Sequence, residues 1–412
     1  MAAKIESVEI QGVKIPVVYE YDARLPLVNM QIVFTNSGSI TDVKKAGLAK
    51  LSAKMLNEGT KKLGANGFAE MLESKAIHLA AATGSETFVI EVGSLKEQFK
   101  DSMKYLGMML REPNLTERSL EKVKTMTLGK ISQKENDFDY IASHELKKLL
   151  FKNTVLAQPS LGTLTSVQSI TLDDVKHFVD EHIVLSRAII VVGGDISLEK
   201  LQKRLSKALA SLHVGKSEPL AHFEASAKAQ ESIVKKETQQ AYIYFGSPYH
   251  MAVDDTEYYK ARVATFILGT GGFGSRLMEE IRVKRGLAYS AYARVHVSKS
   301  VSYFNGYLQT KLDSQEEAQE TVKAVIAKFV KEGVTQEELE QTKKFLLGSE
   351  PLRVETMSQR LQRTFMDYYK GFELDHSKKE LQKIQNLTLE ELNSFIKKHQ
   401  EILELSFAIV TK

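Results

Sequence analysis

Cysteine is absent from all 412 residues, which removes disulfides, thiolate metal sites and cysteine nucleophiles from consideration. That absence fits the cytoplasm and the periplasm equally. Long apolar runs are missing too. AIIVV at 188–192 has the length of a buried strand, far short of a bilayer span. The opening segment MAAKIESVEIQGVKIPVVYEY goes straight into an alternating strand pattern with a turn at Gly12 and lacks the apolar core of a signal peptide. The chain as written is expected in the cytoplasm, or in the periplasm if a leader has been removed. Charge of one sign is equally scarce. Basic residues number 56 against 52 acidic ones, for a net +4, and the two are interleaved. Neither a nucleic-acid partner nor a membrane surface is implied.

What is present is a duplicated unit of ordinary globular composition, 43% apolar and 26% charged. QSITLDDVKHFVDEHIVLSRAIIVV (168–192) aligns without gaps to QNLTLEELNSFIKKHQEILELSFAI (385–409) at a constant offset of 217. Gln168, Thr171, Leu172, Phe178 and His182 recur as Gln385, Thr388, Leu389, Phe395 and His399. LEKVKTMTLGKI (120–131) matches LEQTKKFLLGSE (339–350) at the nearly equal offset of 219. Two landmarks in the same order at the same spacing divide the chain into homologous halves. The boundaries read as 1–215 and 233–412, joined by a polar connector at 216–232. Each half runs from strands (VNMQIVF, 28–34; QAYIYFG, 240–246) through helices to a strand pair (IHLAAATGSETFVIEV, 77–92; VSYFNGYLQTKL, 301–312), more helices and a last strand. Strands and helices are partly segregated, without regular βαβ alternation. The expected class is α+β, as two homologous domains, each a mainly antiparallel sheet with helices packed on it.

GLAKLSAKMLNEGT (47–60) has a helical pattern in which Lys50, Lys54 and Asn57 share one face. A helix presents two ligands to one ion at that spacing, yet lysine ammonium groups are donors without a lone pair. Lys50 and Lys54 read as solvating a helix face. HFVDEH (177–182) sets His177 and His182 at i and i+5, about 140° apart, and HELKK (144–148) lacks a second His. The recurrence of His182 as His399 points to a packing or helix-end role. No metal site is assigned. The glycine-rich LGTGGFGSRL (268–277) lacks a P-loop pattern and follows a helix rather than a strand, so it reads as a flexible or close-packed loop.

The 47–60 segment resembles G-L-A-H-F-L-E-H-M-L-F-x-G-T of the insulinase/pitrilysin-like zinc peptidases, the inverzincin group that includes mitochondrial processing peptidase. In that family two His bind zinc and the Glu is the general base. Lys50, Ala53 and Lys54 stand at those positions, and Lys130 stands, within one residue, where the third ligand is expected. The second half carries GGFGSRLMEEIRVKRGLAYSAYA (271–293), similar to the family's G-G-x-x-S-R-L-x-x-x-I-R-E-x-x-G-L-A-Y over nearly its whole length. The resemblance assigns Arg282 and Tyr289 to the family's catalytic Arg/Tyr pair: the Arg binds substrate backbone and the Tyr donates to the scissile carbonyl as charge develops. Arg276, Arg285 and Tyr292 are given scaffold roles. It further implies a clamshell fold of the processing-peptidase/LuxS-like kind and no cofactor in this chain. Zinc is expected in a homologous H-x-x-E-H subunit, with unfolded peptides as substrates. A non-catalytic assembly subunit, like the core subunits of respiratory complex III, is the alternative. An active zinc homodimer would need ligands that are not found. IHLAAATGSETFV (77–89) is either the edge strand that pairs with an extended substrate or a covered strand packed through small residues.

Overall fold

The computed structural model describes residues 3–412. Twelve strands form two sheets. Those of the first are β1 (Lys4–Ile10), β2 (Val13–Tyr21), β3 (Leu27–Thr35), β4 (His78–Thr83), β5 (Thr87–Leu95) and β6 (Ala188–Gly194), arranged β1-β2-β6-β3-β5-β4. All its neighbours are antiparallel except β2 and β6. Gln11 and Gly12, both at positive φ (52° and 77°), make the two-residue turn that joins β1 to β2; both signs are what a twist-compatible hairpin turn requires. Alternate residues of these strands, among them Ile15, Val17, Ile32, Phe34, Phe88 and Ile90, point into one core. β6 is buried at every position, which explains its unbroken apolar run.

The second sheet contains β7 (Phe223–Glu224), β8 (Glu231–Lys235), β9 (Gln240–Pro248), β10 (Ala288–Val297), β11 (Val301–Lys311) and β12 (Ser406–Thr411). Its order is β10-β11-β9-β12-β8, with the short β7 beside β11. It is again mainly antiparallel, with β8 and β7 as the parallel additions. The expected strand pair at 301–312 is instead one strand, β11, whose hairpin partner is β10. Asn305-Gly306 looks like a turn in the sequence, but Gly306 sits mid-strand for a packing reason. A Cβ there would lie 2.2 Å from the Phe245 ring and 2.4 Å from the Tyr292 carbonyl.

The compact units are not the two sequence halves. One comprises the chain through Ser132, Gln158–Leu220 and Arg353–Met366, and the other comprises Gln133–Ala157, Ala221–Leu352 and Asp367–Lys412. Each half therefore lends one helix to the other half's sheet. The helix Phe138–Leu150 packs in the second unit, where Leu146 and Leu150 approach Gly246 of β9 and Phe138 meets Tyr242 with ring centroids 5.5 Å apart. The helix Met357–Lys370 mostly belongs to the first unit, where Met357 and Leu361 press on Gly193 of β6. The two helices begin 219 residues apart, the offset of the matched segments 120–131 and 339–350, so they are equivalent elements. In both sheets a glycine lets the helix settle onto the strand backbone. Arg360 fixes the second of these helices through a two-pronged bond to the fully buried Glu20 of β2, at 2.6 and 3.0 Å.

The duplication is also visible in how the helices start. Thr171 and Thr388 each cap a helix, Leu172–His182 and Leu389–Lys398, by accepting from the backbone N–H three residues on. Asp174 and Glu391 close the box in return. The connector is anchored: Arg187 Nε donates to the Lys216 carbonyl at 2.9 Å, and the Phe223 N–H donates to the Ser300 carbonyl.

Candidate functional site

The helix Leu48–Leu56 starts from Gly47, whose φ of 93° and close approach to Leu161 O leave no room for a side chain. The buried carboxyl of Asp42 accepts from the N–H groups of Gly47 and Ala49 at 3.0 and 2.8 Å. Burial pushes this carboxyl up to about 7, against the pull of those two bonds. Ala53 is buried in the core, and Lys50 and Lys54 are half-buried, more enclosed than a solvated helix face. Lys54 Nζ donates to Thr127 Oγ1 at 2.7 Å. The sequence missed Thr127 as the direct partner because it is an unremarkable polar residue one turn before Lys130 on the helix Glu117–Lys134. Burial first, and then the charges of Lys130 and Lys50, hold the Lys54 ammonium below its ordinary value. The structure thus places Lys54 between Lys50, one turn back on its own helix, and the helix that carries Lys130. It leaves no lone pair where zinc would need one, so the group does not fit these residues. Among the described residues no three His, Asp or Glu side chains are grouped to hold a metal ion.

Asn57 follows on the same face. Its side chain bonds both backbone groups of Ala81 on β4, accepting from N–H at 2.7 Å and donating to C=O at 2.9 Å. β4 is the terminal strand of its sheet, so residues 78–83 of the 77–89 segment form an edge, capped at one residue by an amide that imitates a strand backbone, while Thr87–Val89 lie in β5 between two strands. The other histidine patterns are structural. His177 is exposed beside Glu181, while His182 packs on Phe178 and His399 on Phe395, with ring centroids 4.6 and 4.5 Å apart. His144 stacks on Tyr140.

In the second unit, two π-helical turns, Phe266–Thr270 and Glu279–Val283, flank the glycine-rich loop. Such turns widen a helix by one residue and redirect the side chains that follow. Gly269 is forced by packing, since a Cβ would fall 2.3 Å from Ala293 N. Arg282 lies on the second π turn. Seven residues on, Tyr289 lies where β10 slips register against β11, between Ala288 and Ala291. This bulge turns the tyrosine outward, and it is 81% exposed. The structure brings the two side chains together: Arg282 Nη1 donates to the Tyr289 carbonyl at 2.7 Å, and its guanidinium lies 4.2 Å from the Tyr289 ring centroid. A third member was not foreseen. Phe273, from the glycine loop and 65% exposed, covers the guanidinium at 4.6 Å. The xGGFG sequence gave that phenylalanine no periodic neighbour to mark it.

The surrounding residues hold this platform. Arg276 makes a paired bond to Glu338, both contacts at 2.7 Å, and lies over Phe329. Arg285 donates to the Glu280 carbonyl, and Tyr292 packs on Tyr307. Thr310 Oγ1 donates to Leu287 O and Ala291 N–H to Met278 Sδ, which pin the strand on both sides of the bulge. A cleft of about 780 Å³ opens beside the loop, lined in part by Phe273, Arg276, Glu279, Thr321 and Glu338.

Known proteins resemble this chain throughout its length. Residues 17–164 match the sequence model of the insulinase family, peptidase family M16, and residues 169–346 match that of the peptidase M16 inactive domain. A Helicobacter pylori protein described as non-peptidase homolog YmxG is 46% identical over 410 residues, covering 100% of this chain and 95% of that one. An uncharacterized zinc protease YmxG of Bacillus subtilis is 26% identical over 322 residues, 77% of this chain and 76% of its own. Among solved structures, a peptidase M16 inactive domain protein from Pseudomonas fluorescens superposes with a TM-score of 0.90 at 24% identity, covering 99% of this chain and 98% of its own. A protease from Helicobacter pylori superposes at 0.87 with 18% identity over all of both chains. The structural likenesses, at these identities, speak for the fold alone.

Proposed function

Because the chain belongs to the insulinase (M16) peptidase family and carries lysine and alanine where that family's zinc ligands and base stand, we propose that it is a zinc-free subunit of a two-chain peptidase. It pairs with a homologous H-x-x-E-H subunit and lends Arg282 and Tyr289 to peptide cleavage at the partner's site. The observation that carries this reading is the outward presentation of the pair on a π turn and a β-bulge. Arg282 offers a planar array of donors suited to a peptide backbone. The exposed Tyr289 hydroxyl is free to swing toward a carbonyl that gains negative charge, a contact that strengthens as a water-free site closes around it.

A second reading has its own support. Arg282 already holds the Tyr289 carbonyl through one donor and lies against two aromatic faces, and the 46% identical relative is described as a non-peptidase homolog. On that reading the platform only holds its loop, and the chain serves assembly.

Reconstitution separates the two. Alone, the chain should retain no stoichiometric zinc and cleave no unfolded peptide. Mixed with an H-x-x-E-H relative it should support cleavage, and Tyr289→Phe should lower kcat by about 10²-fold, the order expected for loss of one oxyanion donor. Arg282→Ala should act chiefly through KM. Full activity in both variants, with unchanged folding, would leave only the assembly reading.

A further inference from the structure

The first unit gathers positive charge at one place and leaves it uncompensated. Lys50 and Lys54 stand one turn apart on the helix Leu48–Leu56. The bond from Lys54 to Thr127 sets Lys54 against the helix Glu117–Lys134, one turn before Lys130, whose charge opposes that of Lys54. Other lysines of the latter helix are paired: Lys122 with Glu58 at 2.8 Å, Lys124 with Glu121 at 3.8 Å and Lys134 with Asp137 at 2.5 Å. Lys45, just ahead of the former helix, is paired with Asp174. Among the described residues, Lys50, Lys54 and Lys130 have no carboxylate within ion-pair reach. Lys54 makes one bond, to the neutral hydroxyl of Thr127, itself almost wholly buried. Like-charged ammonium groups without a counter-charge, Lys50 and Lys54 half-buried and Lys130 exposed, are the arrangement an anion relieves.

The setting narrows the anion. Asn57, next along the lysine face, is bonded to the outward backbone groups of Ala81, so this face runs beside the open edge of β4. Lys54 lies in the last turn of its helix. The available donors are thus flexible point-charge ammonium groups from two helices, Lys50 in the first turn and Lys54 in the last turn of one of them, not the backbone N–H array of a helix start that phosphate sites use. We propose that Lys50, Lys54 and Lys130, with Thr127 orienting Lys54, form a carboxylate-binding site in the place of the lost metal site. Its ligand is a carboxylate group, supplied either by a small polycarboxylate or by an acidic residue or C-terminus of a peptide lying along β4. This site is independent of the pairing proposed for Arg282 and Tyr289.

Calorimetric titration of the full chain at low ionic strength tests it with citrate, penta-aspartate, C-terminally amidated penta-asparagine and inorganic phosphate. The carboxylate ligands should bind and the amidated asparagine peptide should not. Citrate binding alone would assign the small-molecule source, and penta-aspartate binding alone the peptide source. Lys54→Met should weaken the binding about tenfold, the loss of one charge-assisted hydrogen bond. The triple replacement of Lys50, Lys54 and Lys130 by Met should abolish it, while Lys344→Met, far along the chain on an exposed helix face, should not change it. Unaltered thermal unfolding shows that each variant folds, and the Lys54 Cε signal in NMR should move on adding the ligand. The proposal is overturned if neither carboxylate ligand binds, if the triple variant binds as before, if the asparagine peptide competes equally, or if phosphate binds as tightly.

Discussion

Phe273 shows how a single side chain can complete a site that a motif only outlines. Arg282 and Tyr289 are legible in sequence because a nearly complete family pattern surrounds them. The phenylalanine between glycines is not, because its role comes from a loop path that no periodicity encodes. Its ring holds one side of the guanidinium, a contact worth about 0.5–1 kcal/mol at an exposed place. Phe273→Ala should therefore cost the reconstituted peptidase about two- to fivefold in kcat/KM, much less than removal of the tyrosine hydroxyl. Steady-state kinetics on matched preparations would check the ranking. The lysine positions teach the converse. They mark where zinc ligands are lost, and only the packed structure shows Lys54 meeting Thr127, a residue with no signature of its own. His144, the start of a false metal motif, has a different consequence. Burial holds it at about 4, below the ordinary 6.5. As pH falls through 6.5 the unfolded chain takes up a proton that the folded chain refuses until about 4. This group thus withdraws stability across that window and contributes nothing further below it. His144→Phe should make the denaturation midpoint less sensitive to pH between about 6.5 and 4, as read by circular dichroism in urea.

At the scale of elements, the strands that alternate cleanly were legible, whereas the helix starts at the recurring Thr171 and Thr388 come from the structure, where both close capping boxes. The single strand β11 was not legible either. Asn305-Gly306 carries a turn's composition, and the ring of Phe245 and the carbonyl of Tyr292 on the flanking strands explain a glycine there. The destination of Phe138–Leu150 and Met357–Lys370 was equally hidden, because amphipathic periodicity tells which face a helix buries and never against which sheet. Arg360 gives this exchange a testable anchor. Its two-pronged bond to Glu20, whose side chain has no exposure, leaves a buried carboxylate unpaired when the arginine is removed. Arg360→Met should lower unfolding free energy by about 3–5 kcal/mol, measured by urea denaturation. A companion Glu20→Gln change should recover part of the loss if the orphaned charge is its cause.

For the molecule as a whole, the repeat divides the chain near residues 215 and 233, whereas the compact units draw on both sides of that division. Residues 133–157 complete one compact unit and 353–366 the other. Chains cut at the connector, 1–215 and 233–412, should each expose the sheet face and the helix that lack their counterpart. Each fragment alone is expected to bind a hydrophobic dye and to melt without cooperativity, and co-expression should restore one cooperative transition. Cooperative unfolding of an isolated fragment at the intact protein's midpoint would count against this. The reciprocal loan of equivalent helices also bears on origin. A half-length ancestor whose helix could not fold back on its own sheet would have been complete only with a second copy of itself, each clasping the other. Joining two such genes end to end would preserve that embrace in one polypeptide, after which either repeat was free to lose residues the other still needed.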